Sequence, residues 1–398
     1  MVSNYRIALL LSYISLASFS AAFITPALPQ IALRFRLLSG QVEWVVSAFL
    51  IGYVIGQLIY GPLANRYGRV FALRIGLAIN LIGIVLCIVS LLANTYWLLI
   101  LGRLISALGA ASGLACTYML VNEWLHEKQR KTAMAYTILA FTFGIGIAVT
   151  LGGLITEYLS WVYCFPFLFI HGLLMFMGTV LFVETLKKPQ PINVSSIIEG
   201  YKQALSSKTL ILFSLVVGFC STIGYSFSAA APQITIELFH LSPAEYGYWN
   251  LLNMVGMLAG GLWSKSLFRR MAAKDLTSLG FFGCSIGILS LIIMETVHSS
   301  SPLWFFLSTT SLYLFSGFMF AGGSFMASNA LADKASSSAM MSFINMSLAT
   351  LSVVVMGYLW KNPLEGFVNI LIGLWIFIAV LILLDRFLSE KKTQLADS

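Results

Sequence analysis

The chain has 398 residues, of which 59% are hydrophobic and only 10% are charged, and 29 of them are phenylalanine. A water-soluble fold of this length cannot hide so much apolar surface behind so few charges, so the composition implies lipid as the solvent. The formal net charge of +8 does not point to nucleic acid, because the basic residues sit in short turns between apolar runs and form no face that could track phosphates.

A helix needs about 20 apolar residues to cross the hydrocarbon core. Along the chain, segments of this kind run 7–29, 42–63, 70–92, 96–121, 133–156 and 160–183. After a polar interval come 209–233, 244–265, 273–295, 302–330, 337–360 and 364–388. The first is expected to be a retained helix rather than a cleaved leader, because further spans follow at once and no cleavage signature closes it. The 302–330 segment is long enough to tilt or kink. Barrel strands would alternate over about ten residues, which these runs do not. Cys87, Cys116, Cys164, Cys220 and Cys284 all fall inside apolar stretches without metal-ligand spacing, so they read as small apolar fillers, and no metal or cofactor is expected.

An even number of spans puts both ends of the chain on one side of the membrane. Arg6, Arg66, Arg69, Arg74, Lys128, Arg130, Lys131, Lys187, Lys188, Lys202, Lys208, Lys265, Arg269, Arg270, Lys274, Lys334, Arg386, Lys391 and Lys392 share that side, 19 of the 23 basic residues. The other side receives Arg34, Arg36 and Lys361, while Arg103 lies within a span. Positive residues stay inside, so both termini are expected in the cytoplasm.

The longest polar interval, Glu184 to Ser207, carries Pro189, Pro191, Asn193 and a short amphipathic stretch from Val194 to Leu205. It divides the chain into an expected six-helix bundle at 1–185, a linker at 186–208 and a second bundle at 209–398. An internal echo supports this division. Phe19-Ser20-Ala21-Ala22 precedes Pro29-Gln30-Ile31, and Phe227-Ser228-Ala229-Ala230 precedes Pro232-Gln233-Ile234, the Pro-Gln-Ile pairs being 203 residues apart. Val42-Glu43-Trp44 and Ala244-Glu245-Tyr246 are 202 apart, and Arg66 and Arg269 are 203 apart. Matches at nearly one offset imply parallel halves related by a central pseudo-two-fold axis, the arrangement used for alternating access.

Between the second and third spans lies Gly61-Pro62-Leu63-Ala64-Asn65-Arg66-Tyr67-Gly68-Arg69. Gly61 is expected to permit close helix approach and Gly68 a tight turn, while Arg66 and Arg69 hold the loop at the headgroups. This segment resembles the signature loop of the major facilitator superfamily. Ile24-Thr25-Pro26-Ala27-Leu28-Pro29, Gln57-Leu58-Ile59-Tyr60-Gly61-Pro62-Leu63 and Gly102-Arg103-Leu104-Ile105-Ser106-Ala107-Leu108-Gly109-Ala110-Ala111 are similar to the bacterial Bcr/CflA-type multidrug exporters within it. The resemblance implies an all-α polytopic membrane protein of twelve transmembrane helices in two pseudo-symmetric six-helix bundles. It also implies a gating role for Gly61, Asn65, Arg66, Gly68 and Arg69. The chain departs from the family pattern at four places. Asn65 stands for the usual Asp, Ser106 for a Gln, Val149 for a Pro and Ala22 for an acidic residue. All four touch coupling or export direction.

Arg103 is an intramembrane arginine, which must snorkel, pair or face a wet cavity, and its depth disfavours snorkelling. It reads either as a cavity and proton-coupling residue or as an interhelical bond, and the resemblance implies the first. Glu43 opens the second span beside Trp44 and is either a proton carrier or an interfacial cap. His171, within the sixth span, reads as a structural histidine. Asn253 and Asn345 need partners in hydrocarbon and are placed at the second-half cavity or in packing bonds. Tyr13, Phe23, Tyr53, Tyr118, Tyr136, Tyr225, Phe227 and Trp249 are candidates for an aromatic substrate surface. The pairs Gly52/Gly56, Gly109/Gly113 and Gly256/Gly260 permit close helix seams.

These features imply a monomeric secondary transporter that exports amphipathic small molecules or drugs in exchange for protons, with membrane lipid as its other partner. The rivals are movement of a polar organic metabolite or siderophore, and a non-transporting membrane receptor. No phosphate-binding loop suggests an ATP-driven pump or another enzyme, and two unequal halves form no repeated channel filter.

Overall fold

Short 3-10 turns, rather than loops, set the course of the first span in the computed structural model, which describes every residue except Met1, Ser39, Gln190, Ala332, Asp333, Asp397 and Ser398. Helix α1 (Asn4–Phe35) passes through 3-10 turns at Tyr13–Ser15 and Thr25–Ala27, the second containing Pro26, and ends where Arg36 takes a left-handed φ of 52°. There follow α2 (Trp44–Tyr67), α3 (Arg69–Leu92), α4 (Tyr96–Trp124), α5 (Glu127–Ile155) and α6 (Cys164–Gly178). After α7 (Val194–Ser206) come α8 (Lys208–Glu237), α9 (Pro243–Leu267), α10 (Ala273–Thr296), α11 (Pro302–Ser328), α12 (Lys334–Leu359) and α13 (Pro363–Ala396). The side chains of Lys131, Lys334, Arg386, Lys391 and Lys392 lie outside the described residues.

Among the described residues, ten stretches are long and apolar enough to cross a membrane. One of them, Thr142–Leu181, holds two spans: α5 and α6 run on through a π-turn at Thr156–Ser160 and a 3-10 turn at Trp161–Tyr163. Helix α9 supplies the remaining crossing. It is less apolar because it carries Asn250 and Asn253, and a capping box of Ser242 and Glu245 fixes its start. The amphipathic stretch read from the linker is α7, whose Ala204 packs with Leu210 and Met340.

The packing repeats between the halves. Helix α4 lies against α1, α2 and α3, and α11 lies against α8, α9 and α10. Helix α1 packs on α5 as α8 packs on α12, and the halves meet through α2 on α12 and α5 on α9. Glycines set the register. A Cβ on Gly52 would stand 2.1 Å from the Leu104 carbonyl oxygen, and one on Gly256 would stand 2.4 Å from that of Thr310. Gly56 and Gly260 repeat the contact one turn on, against Leu108 and Leu314. The two seams are thus equivalent, and each lets backbones touch where side chains would hold them apart.

Loops alternate between two ends of the bundle. The basic end carries Arg66, Arg69, the α6–α8 connection and Arg269, and the far end carries the turns around residues 37–43, 156–163, 238–242 and 360–362. At the far end one apolar core is shared by both halves, joining Phe23, Ile31 and Val45 to Phe227, Ile234, Tyr246 and Phe305. Toward the basic end the cores separate. One gathers Leu10, Tyr60, Leu73 and Leu120 of the first half, and the other holds Ala204, Leu210 and Met340 of the second. The halves are therefore sealed together at the far end.

Candidate functional site

Helices α5, α8, α9 and α11 enclose a cleft between the halves, lined by Thr142, Gly146, Phe227, Ser228, Tyr246, Asn250, Asn253, Met254, Met257 and Tyr313 among others. No charged side chain lines it. Its free volume is about 20 Å3, room for about one water. Asn253 is braced from three sides: its Nδ2 donates to Asn250 Oδ1 at 3.1 Å, and its Oδ1 accepts from Thr309 at 2.8 Å and Thr310 at 3.3 Å. Asn250 and Asn253 sit three residues apart and so share one helix face. Asn345 lies away from the cleft lining, where its Oδ1 accepts from Ser221 at 2.8 Å and ties α12 to α8.

The aromatic candidates divide. Phe227 lines the cleft. Tyr53 stands near Tyr225 and Tyr118, with Gln57 beside its hydroxyl, and Tyr225 stands near Tyr313, so phenols from both halves lead into the cleft. Tyr13 does not reach it: the ring is fully buried in the first half and its hydroxyl donates to the Met175 carbonyl. Phe23 is likewise buried, stacked on Phe19 and Phe167. Trp249 stacks on Phe306 with centroids 5.6 Å apart, and Tyr136 is 53% exposed. His171 stacks on Phe19 at 4.5 Å.

Arg103 is 1% exposed and held by backbone. Its Nε donates to the Val45 carbonyl at 3.2 Å, its Nη1 to that of Ser20 at 3.1 Å, and the guanidinium lies 4.3 Å over the Phe49 ring. Among the described residues, Nη2 has no hydrogen-bond partner, and neither do the buried hydroxyls of Ser20 and Ser47. By the glycine register, Phe49 and Arg103 occupy positions equivalent to those of Asn253 and Thr309 in the second half. The same frame thus holds a cation on an aromatic ring in one half and an amide–hydroxyl network in the other.

The far end is latched by polar groups that cross between the halves. Trp44 Nε1 donates to the Tyr358 hydroxyl at 3.0 Å, and Gln233 Nε2 donates to Glu43 Oε1 at 3.4 Å. The backbone N–H of Ala244, at the start of α9, donates to Glu157 Oε2 at 2.8 Å, where the helix dipole favours a negative charge. Thr150 Oγ1 donates to the Gly247 carbonyl at 3.3 Å. Glu43 makes no side-chain cap on α2, whereas its repeat counterpart Glu245 is spent on the capping box of α9.

At the basic end, Gly68 turns the chain at φ 118°, in a site where a Cβ would lie 2.4 Å from Glu184 Oε2. Glu184 occupies that space and accepts from the backbone N–H of Arg69 at 2.8 Å and Val70 at 3.0 Å, capping α3 from a distant part of the chain. Partial burial works against its charge, but the N–H groups of Leu186, Arg69, Phe71 and Val70 outweigh it and hold the carboxyl below the usual range. Arg69 forms a bidentate pair with Glu123, at 3.0 and 2.8 Å, and also donates to the Ala64 carbonyl. Arg66 is exposed over Tyr67, and Asn65 is half-buried. Gly61 corrects the expectation of close helix approach: a Cβ there would meet nothing within 4 Å.

Sequence reasoning missed Asn250 and Thr142 as cleft residues, Glu184 as a cap, and Gln233 and Tyr358 as latch partners. Gln233 alone carried a signal, since it stands in the repeated Pro-Gln-Ile.

The chain is 26% identical over 297 residues to an uncharacterized transporter of Rickettsia bellii (strain RML369-C), which covers 72% of each chain. It is 26% identical over 289 residues to the multidrug transporter MdfA of Yersinia pestis bv. Antiqua (strain Angola), covering 70% of this chain and 68% of that one. Among solved structures, a D-xylose-proton symporter matches with a TM-score of 0.77 at 17% identity, over 94% of this chain and 97% of that chain. A bacterial homologue of the human lysosomal transporter Spinster matches with a TM-score of 0.70 at 14% identity, over 96% of each. Such identities speak for the fold alone. The profile of the Major Facilitator Superfamily matches residues 10–357, and the chain belongs to that family of transporters.

Proposed function

We propose that this secondary transporter exports uncharged, amphipathic small molecules in exchange for protons, by alternating access about the cleft between α5, α8, α9 and α11. The observation that carries the proposal is the cleft lining: aromatic rings, methionines, amides and hydroxyls, without a fixed charge. Such a surface adapts to varied apolar shapes and rewards a few hydrogen-bonding groups. A siderophore or other anionic chelate would call for basic groups aimed into the cleft, and the lining has none. The similarity to MdfA of Yersinia pestis, named as a multidrug transporter, supports the substrate class. The basic end faces the cytoplasm of a bacterial inner membrane, the two bundles divide at 186–208, and the structure is then closed to the outside.

The test is transport by the purified chain in proteoliposomes with an imposed pH gradient, comparing neutral, cationic and anionic amphipathic dyes. Gradient-driven movement of the neutral dye is expected to exceed that of the charged ones. Flux indifferent to the gradient would overturn proton coupling. Preference for an anion would overturn the substrate class, and no flux of any dye would favour a receptor.

A further inference from the structure

Glu43 lies in the turn before α2, at the seam where the far end is sealed. It is 7% exposed. Its carboxyl group reaches out of its own half: Oε1 accepts from Gln233 of α8, and among the described residues the buried Oε2 has no hydrogen-bond partner. A Cβ on Gly357 of α12 would stand 2.6 Å from Glu43 Cδ, so the group is seated in a notch that only a glycine leaves open. The groups facing it are neutral. Helix α8 presents an amide, α12 presents backbone at Gly357, and the nearby titratable groups are the phenols Tyr96 of α4 and Tyr358 of α12. Among the described residues, no lysine, arginine or histidine pairs with it.

A buried carboxylate without a cation is costly, whereas the protonated acid needs only the hydrogen bonds this notch can supply. Burial accordingly raises the Glu43 carboxyl above its ordinary range, against the smaller opposing pull of its own and Gly40's backbone and of Gln233. The notch exists only while the halves are together, because Gln233 and Gly357 belong to the second half. Separation at this end would expose the carboxyl to water, where it ionises at ordinary pH.

We propose that Glu43 is a proton-binding site that locks the far end: protonation holds the halves together there, and loss of the proton to water favours their separation. The proposal rests on alternating access as described above and adds where a proton acts on it. The sign follows from linkage. The closed form binds the proton more tightly, so closure is favoured at low pH and lost as pH rises through the closed-state value. Each unit by which closure raises that value changes the open-to-closed ratio about tenfold.

The test is the distance between labels on Leu38→Cys of the first half and Ser300→Cys of the second, two exposed far-end positions, in the full chain in nanodiscs between pH 5 and pH 9. In the parent chain a longer distance should gain about tenfold in population across the range. In Glu43→Gln, which stays neutral, the short distance should dominate throughout. Gly357→Ala, which crowds the notch, should show the longer distance even at low pH. A parent distance blind to pH, or an unchanged pH response in Glu43→Gln, overturns the proposal. If Glu43→Gln fails to insert, Glu43→Asp decides: its carboxyl falls short of Gln233, so an unmoved midpoint refutes the lock. No substrate is needed for these distances. A pH-dependent distance in a chain that transports none of the dyes would sink the substrate proposal and leave this one standing. Gradient-driven transport with a pH-blind distance would do the reverse.

Discussion

Substituting Gly52 by alanine tests whether the helix seams carry the fold. The added methyl would stand 2.1 Å from the Leu104 carbonyl oxygen, 2.9 Å from its carbon and 3.1 Å from Leu108 N, all of them backbone atoms that no rotamer change can move. An ordinary C···O contact is about 3.3 Å or more, so α2 and α4 must part by roughly 1 Å. Helix α4 cannot simply retreat, because its other face is pressed on α3 by the same device. A Cβ on Gly83 would lie 2.2 Å from Ser106 N, and one on Gly109 would lie 2.2 Å from Asn80 N. Overpacking of this kind costs about 1–3 kcal/mol, and parting the helices also strains the bond from Arg103 to Val45. The better helix propensity of alanine returns at most about 1 kcal/mol. The net expectation is a loss of about 1–2 kcal/mol.

The assay is the thermal midpoint of the detergent-solubilised chain, with Gly373→Ala as control, since a Cβ at Gly373 meets nothing within 4 Å. Gly52→Ala should fall by several degrees and Gly373→Ala should hold or rise. Gly256→Ala, where the carbonyl is 2.4 Å away, should fall too, but less. A Gly52→Ala midpoint equal to the parent's, or an equal fall in Gly373→Ala, would refute the seam.

Three further substitutions probe the polar sites. Arg103→Met removes two hydrogen bonds of about 1.5–3 kcal/mol each but also a buried cation that costs about 2.5–3.5 kcal/mol; the midpoint should stay within about 2 kcal/mol of the parent while transport falls at least about tenfold, and normal transport kinetics would refute a coupling role. Glu184→Gln should cost about 1 kcal/mol at pH 7, because a charge capping α3 is lost. With the Glu184 carboxyl depressed in the folded chain, its stabilisation is present above the ordinary carboxylate range and fades as pH falls through the folded value, so parent and variant midpoints should converge in acid. Asn253→Leu removes the Asn250 and Thr309 bonds but leaves both threonine hydroxyls the Phe306 carbonyl as acceptor, so it should cost about 0.5–1.5 kcal/mol while weakening apparent substrate affinity; an unchanged KM would place Asn253 in packing alone.

What could be read from the residues was what depends on local pattern. Long apolar runs, the basic loops and the Pro-Gln-Ile echo located the spans and their repetition, whereas the 3-10 turn at Pro26 inside the first span was not foreseen. The cleft was less legible. Tyr13, Phe23 and Phe227 are all aromatic residues in membrane-length runs, and only tertiary packing sends one to the cleft and two into the core. Asn250 escaped notice because an asparagine one turn before Asn253 looks like another packing group until both meet the facing half. Glu184 looked like the start of a linker, since the helix it caps begins 115 residues earlier in the chain. Gly61 was misjudged because a glycine in a helix signals close approach only if a neighbour occupies that face.

The bonds that seal the far end are few and weak enough to be switched. Among the described residues, hydrogen bonds cross there from Trp44, Gln233, Ala244 and Thr150, each contributing about 0.5–1.5 kcal/mol net. Reversing a two-state equilibrium from 1:99 to 99:1 needs about 5.5 kcal/mol, the same order as those bonds together. The shared apolar core adds to the closed form, but separated halves can bury part of the same surface in lipid or in the opposite closure, so its area does not count in full. A proton on Glu43 or a ligand between Asn253 and Tyr313 therefore acts at a scale that can decide which end opens. A seal built from ion pairs buried between the halves would not have that property, since breaking one costs about 3–5 kcal/mol. The ion pair among the described residues, Arg69 with Glu123, lies within the first half at the basic end, where it holds a loop rather than the seal.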